Sequence, residues 1–208
     1  MNRGDIRELH YITPLTNLRS ILGRGLLSHN RAERLAHVSV ADVNIQELRV
    51  NKKLPNGRYL HDHVNMFFDA RNAMMYKVCA TQGHHMLAVI RVSPTAIDLP
   101  GAMITDGNAA AVMTRFDAPT SKAFDRLDSL RIYAEYWTDP QSDIQTERKR
   151  QRSAEVLIPN TVSTDFIMGI YVSCDAVYDE VVSSGQSISV TISEHLFFQG
   201  ARRDGELR

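Results

Sequence analysis

Met86-Leu87-Ala88-Val89-Ile90-Arg91-Val92 is the stretch from which the rest of the chain is read. It is a nearly unbroken apolar run of strand length, and Ser93-Pro94 stops it, so it predicts a strand buried on both faces. Upstream, Ile12-Thr13-Pro14-Leu15 through Leu22 predicts a short strand running into a helix. There Thr13 caps, Pro14 suits the first helical position, and Leu15, Leu18, Ile21 and Leu22 make one apolar stripe that Gly23 and Gly25 end. Residues 41–49 predict another short helix, 63–68 an extended aromatic segment, and 70–76 a helix or loop. Downstream, 108–116 and 121–133 predict helices parted by Asp117-Ala118-Pro119, and 155–158, 166–172 and 187–192 predict strands. Strands and helices mix without a steady βαβ rhythm, which places the chain in the α+β class rather than among doubly wound sheets.

The chain has 208 residues, 43% hydrophobic and 23% charged, close to the averages of a globular domain. Collagen-like, disordered and coiled-coil readings are excluded, and a single domain spanning 1–208 is expected. Lys+Arg and Asp+Glu number 24 each. A protein that grips nucleic acid over a wide face is normally basic, so any such contact here must be local. Cys79 and Cys174 lack metal or redox spacing and are read as reduced core residues. No apolar stretch follows the charged start, and no apolar run reaches membrane length, so an intracellular, cytoplasmic protein outside the membrane is expected.

Gly-rich phosphate loops, the dinucleotide fingerprint and paired-cysteine sites are missing from the sequence. His84-His85 would point to opposite faces of a strand, and His61-Asp62-His63 is read as structural or substrate-contacting rather than metal-binding. No metal is expected. Glu155 is the residue in an uncomfortable place. It opens the apolar strand Ala154-Glu155-Val156-Leu157-Ile158-Pro159, directly after the basic and mobile-looking Arg148-Lys149-Arg150-Gln151-Arg152. Such a carboxylate stays ionised beside cations and acts on a transition state that gains positive charge, or it is simply a solvated strand end. Arg71, between Met66-Phe67-Phe68 and Met74-Met75-Tyr76, is either a surface residue or a fork for a phosphate or carboxylate.

Four segments in one order carry a resemblance. They are His10-Tyr11-Ile12-Thr13 with Asn17-Leu18 and Gly25-Leu26; Ile45-Gln46 with Arg49, in a stretch starting at Asp42; Leu60 to Phe68 with Arg71 and Met74; and Tyr136-Trp137-Thr138-Asp139 followed by Arg152-Ser153-Ala154-Glu155 to Pro159. Together they resemble the DarT family of DNA ADP-ribosyltransferase toxins over most of residues 10 to 172. The resemblance implies an ADP-ribosyltransferase fold of two packed mixed or antiparallel sheets with helices around an NAD cleft. It implies Glu155 as the transferase glutamate and Arg71 as the arginine that helps hold NAD and assists the reaction. His10, Tyr11, Thr13, Asn17 and His63 are the further cofactor contacts it implies. Tyr11 stands at the family's motif histidine, while His63 and Asn65 replace a tyrosine and a proline.

By the same resemblance, residues 107–153 hold the target-recognition loop region. Arg148, Lys149, Arg150 and Arg152 would supply a positive patch there, and Tyr133, Tyr136 and Trp137 rings for stacking; the alternatives are a solvated loop and core packing. The implied activity is glycosyl transfer of ADP-ribose from NAD to a base of single-stranded DNA, thymine first and guanine second. A DarG-like macrodomain antitoxin is the implied partner. Two alternatives stay open: transfer to RNA or protein, and a relative that binds NAD or nucleic acid without catalysis.

Overall fold

β1 (Leu9–Pro14) passes through a 3-10 turn, Leu15–Asn17, into α1 (Leu18–Arg24), and β2 (Leu26–Leu27), α2 (His29–Ala32) and α3 (Val43–Val50) follow. Next come β3 (His63–Phe67), α4 (Ala73–Gln82), β4 (Leu87–Val92), β5 (Met103–Thr105) and β6 (Phe116–Asp117). The remaining elements are α5 (Ser121–Asp125), α6 (Ser129–Ile132), α7 (Ser142–Arg152), β7 (Glu155–Pro159), β8 (Thr161–Val162), β9 (Ile167–Val172), α8 (Asp175–Ser183) and β10 (Val190–Ile192). A 3-10 turn, Glu194–Phe197, comes last. This computed structural model describes residues 1–40, 43–185 and 187–199.

The strands form an eight-stranded sheet in the order β10-β9-β4-β1-β3-β7-β5-β6 and a two-stranded one, β2-β8. Among the described residues only the β9–β10 pair is parallel. Of the run Met86 to Val92, Leu87–Val92 does form a buried strand, β4, held between β1 and β9, while Met86 is exposed and ends the 3-10 turn before it. At the sheet's middle the pairing nearly fails: β1 and β3 share one register pair, His10 with Phe67, whereas β1 and β4 share six. The large sheet thus consists of two four-stranded halves hinged at His10 and opening toward Pro14 and His63.

The two faces differ. Alternating side chains of β1, β3, β4 and β7, such as Leu9, Met66, Ile90 and Val156, enter one continuous core with Leu18 and Ile21 of α1 and Val177 and Val181 of α8. On the opposite face the apolar contacts fall into two separate clusters. One joins Ile12, Phe67 and Val89 to α4 and Phe197; the other joins Leu157 and Met103 to Leu54 and Leu60. Asn65 of β3 and Glu155 of β7 lie on that face between the clusters.

Several local readings change. Pro14 ends β1, and Asn17, not Thr13, precedes α1, because the 3-10 turn intervenes. Residues 41 and 42 lie outside the described residues, so the helix expected over 41–49 is seen as Val43–Val50. No helix forms over 108–116, where side chains bond back to the loop's own backbone. Residues 121–133 split into α5 and α6, each capped anew by Thr120 and Asp128. The basic run ahead of Glu155 is the last part of helix α7 rather than a mobile loop.

Candidate active site

Glu155 is fully buried. It faces Phe67 across the β3–β7 ladder, which makes it the diagonal neighbour of Asn65 on the same face of the sheet. Its carboxylate receives four hydrogen bonds. Arg49 donates through Nη2 to Oε1 at 2.6 Å and through Nη1 to Oε2 at 3.2 Å; Asn65 Nδ2 donates to Oε2 at 2.8 Å and the Ala109 amide to Oε1 at 2.7 Å. The Glu155 amide itself donates to Thr105 Oγ1 at 2.8 Å. A buried charge is tolerated only when paired and hydrogen-bonded in this way. The Arg49 fork also reaches Asn108 Oδ1 at 3.1 Å, while its Nε is buried without a partner.

Beside this cluster, where β1 and β3 part, lies a cavity of about 690 Å³, within the range of small-molecule sites. Tyr11, Thr13 and Asn17 line it from the β1 side and His63, Asn65 and Phe67 from β3, with Arg49 and Met74 among the helical contributions. In a chain with no net charge its wall is one-signed. It holds Arg49, Lys77, Lys149, Arg150 and four histidines, and among the described residues none of its lining is Asp or Glu. Such a wall suits a diphosphate. A second depression, about 440 Å³ between α6 and α7, is walled by both signs of charge and lies apart from Glu155.

Two histidines of the wall, His61 and His63, are shifted toward the neutral form. Burial, with His29 and Arg49 alongside, pushes His61 down to about 4. Its Nε2 is buried without a partner and its ring packs 4.1 Å from that of His29. Burial also lowers His63, whose ring nitrogens meet Tyr59 O at 2.9 Å and Asn56 Nδ2 at 3.0 Å. Burial and repulsion from Arg49 lower Lys52. The Tyr11 phenol is raised by burial.

The cofactor residues expected from the sequence separate into two groups. Tyr11, Thr13, Asn17 and His63 line the cavity; His10 does not. Its Nδ1 accepts from the Ala70 amide at 3.1 Å, so Nε2 carries the proton toward Glu8 Oε1, 2.9 Å away. His10 thus positions the turn after β3. Burial alone would raise the Glu8 carboxyl, but bonds from His10, Arg91 and Tyr171 outweigh it and hold it down at about 2. Asn17 makes a two-way bond to the backbone of Val38 and brings that segment to the cavity rim.

Arg71 requires correction. It is absent from the cavity wall; its guanidinium bonds His195 O and lies 4.1 Å over the Phe198 ring. The arginine on the carboxylate is Arg49, four residues beyond Ile45 in α3. Arg152 is corrected too: it is 2% exposed and bolted to Ala134 O, Ile132 O and Asp69. Arg148 pairs with Asp139, and Arg150 with Asp106 and Glu147, while Lys149 and Arg150 reach the cavity. Tyr136 is exposed, and Trp137 packs edge-on against Tyr76 and Phe198. Arg49, Asn65, Thr105 and Asn108 were not among the expected site residues. Arg49 had a signal, since Ile45-Gln46 and Arg49 were already part of the resemblance.

Among the described residues, no group of three or more His, Cys, Asp or Glu is placed to hold a metal, and no helix is long and apolar enough to cross a membrane. Cys79 and Cys174 are free thiols, and burial raises Cys79 to about 11.

A split α+β sheet with a buried glutamate beside a cationic cleft defines an ADP-ribosyltransferase fold. The model of the family described as DarT, ssDNA thymidine ADP-ribosyltransferase, matches residues 10–198, and the chain belongs to that family. A DNA ADP-ribosyl transferase–DNA ADP-ribosyl glycohydrolase fusion protein of Thermosipho africanus is 35% identical over 172 residues, 80% of this chain and 42% of the relative. The chain therefore spans less than half of that fusion protein's length. A DNA ADP-ribosyl transferase of Thermus sp. is 30% identical over 184 residues, 84% of this chain and 85% of the relative. The structure of Thermus sp. 2.9 DarT in complex with ADP-ribosylated ssDNA superposes with a TM-score of 0.80 at 26% identity, covering 95% of this chain and 99% of that one.

Proposed function

We propose that this chain transfers ADP-ribose from NAD to a base of single-stranded DNA, with thymine the first expectation and guanine the second, and that it is the toxin of a toxin–antitoxin pair. The observation that carries the reading is the Glu155–Arg49 pair, buried where an all-cationic cavity meets the parting of β1 and β3. The reaction breaks the bond between the ribose C1′ and the nicotinamide nitrogen, whose electron pair leaves with nicotinamide, and a ring nitrogen of the base takes C1′ and loses its proton to solvent.

Each residue then has a task. Glu155 faces the positive charge that grows on the ribose, and a fixed carboxylate in a dry site stabilises such charge strongly. Arg49, Asn65 and the Ala109 amide fix its orientation. Lys77 and Lys149 supply positive charge for the diphosphate, and Tyr11, Thr13, Asn17 and His63 shape the remaining wall. Arg71 and His10 act on the turn and the C-terminal segment rather than on the dinucleotide. Tyr136, Trp137 and Lys149, within the 107–153 region, lie on the approach for the nucleic acid. A paired duplex would hide the modified ring atom, so a single strand is the substrate.

The chain is taken as one cytoplasmic ADP-ribosyltransferase domain. An antitoxin that removes the modification, a DarG-like macrodomain, is the partner; the joined glycohydrolase of the Thermosipho africanus relative supports this. The test is to incubate the protein with NAD and single-stranded oligonucleotides of varied sequence, RNA and a protein mixture, and to measure mass. The reading expects one ADP-ribose added to DNA alone. Transfer to RNA or protein instead would overturn it in favour of another acceptor, and NAD binding without transfer or hydrolysis would mark a non-catalytic binder.

A further inference from the structure

The loop joining β5 to β6 is fastened at its base and bare at its tip. The Ala109 amide is bonded to Glu155 and Asn108 Oδ1 to Arg49. Thr114 Oγ1 donates to Asn108 O at 2.6 Å, Lys52 Nζ to Ala111 O at 2.8 Å, and Asp106 is ion-paired with both Arg115 and Arg150. Gly107 lets Arg150 approach where a Cβ would collide with its backbone oxygen. At the tip of this pinned loop Val112 is 94% exposed and Met113 77% exposed. Local disorder does not account for their exposure, since the loop closes on itself through these bonds.

The tip also sits close to the chemistry. Asn108 and Ala111 line the cavity. Val112 is three residues from the amide that holds Glu155, so their Cα atoms are at most about 11 Å apart. Four cations, Lys52, Arg115, Lys149 and Arg150, surround the loop against the carboxylates Asp106 and Glu147, leaving a positive surround. Two side chains are too few for a protein interface, which needs about 800 Å² per partner. They match the size of one base, and apolar side chains of this kind wedge between bases and unstack them.

We propose that Val112 and Met113 form a wedge that packs against the nucleobase beside the target base of single-stranded DNA and holds the target turned into the cavity at Glu155. The inference rests on the single-stranded-DNA reading above. Unstacking a base step by an apolar wedge involves an energy that changes affinity by roughly tenfold or more.

The experiment compares the wild-type chain with the double variant Val112→Ser/Met113→Ser and with Val112→Ile/Met113→Leu. Three readouts are followed: the Kd for NAD, the rate of ADP-ribose transfer to a single-stranded oligonucleotide, and the fluorescence of 2-aminopurine placed beside the target base. In the serine variant, NAD affinity should be unchanged, transfer at low DNA concentration should fall at least about tenfold, and the 2-aminopurine signal on binding should be lost. The isoleucine/leucine variant should restore both DNA readouts. Normal transfer by the serine variant, or a matching loss of NAD binding, overturns the wedge alone. If the wild-type chain transfers nothing to DNA, the DNA reading falls and the wedge with it.

Discussion

Glu155 and Arg49 are a buried pair in which each charge satisfies the other, and that coupling governs what substitutions will do. Removing one partner of such a pair typically costs about 3–5 kcal/mol, because the other charge is left buried and alone. Arg49→Ala should therefore lower the melting temperature by several degrees and also weaken NAD binding, measured by thermal melts and titration calorimetry. Arg71→Ala, by contrast, should leave NAD affinity unchanged while loosening the Glu194–Phe197 turn; weakened NAD binding with an intact fold would return Arg71 to the site. His61 and His63 set an acid limit. A histidine buried neutral, with its folded pKa below its unfolded value, contributes stability above about pH 6.5 that is lost as pH falls toward 4 for His61. Glu8, held at about 2 against a usual 4.5, contributes stability that is lost between those values as pH falls. Melting temperature should accordingly drop from pH 7 downward, and His61→Phe should flatten the upper part of that fall.

At the scale of elements, apolar strands were legible and polar connections were not. β4, β7 and β9 follow from their runs of β-branched residues, which nothing but a buried ladder satisfies. The segment 108–116 has small and apolar residues that favour a helix locally, yet the demands of Glu155, Arg49 and Arg150 on its backbone and side chains hold it as a loop. α7 was hidden for the opposite reason: its sequence is almost wholly polar, so no apolar stripe announces it. Arg152 looked like part of a patch because charge in sequence says nothing of what lies beneath, here Asp69 and two carbonyls. One connection is set by shape alone. Gly25 has φ of 81°, and a Cβ there would overlap Val162 O of the β2–β8 pair. Gly25→Ala should cost at least about 1–3 kcal/mol from the backbone conformation, read as a lower denaturation midpoint; an unchanged midpoint would mean that β8 can shift freely.

At the scale of the whole molecule, the site exists because two half-sheets are joined at one residue pair and part beyond it. The sequence announced Glu155 by its place in an apolar strand, and the family resemblance marked Thr13, Asn17 and His63. Its partner Arg49 lies 106 positions earlier, and no local pattern relates the two; only the register of β3 against β7 and the placement of α3 bring them together. The equal numbers of positive and negative side chains conceal this arrangement, since Arg49, Lys77, Lys149 and Arg150 face the cavity and no carboxylate among the described residues lines it. DNA binding should therefore show a shallow salt dependence, with only a few phosphates neutralised. The most direct measurement is single-turnover transfer of ADP-ribose from NAD to a single-stranded oligonucleotide by wild-type and Glu155→Gln protein, at a temperature where both remain folded. The account predicts a loss of at least about a hundredfold in the transfer rate, with NAD still bound. Transfer by Glu155→Gln at the wild-type rate would contradict it.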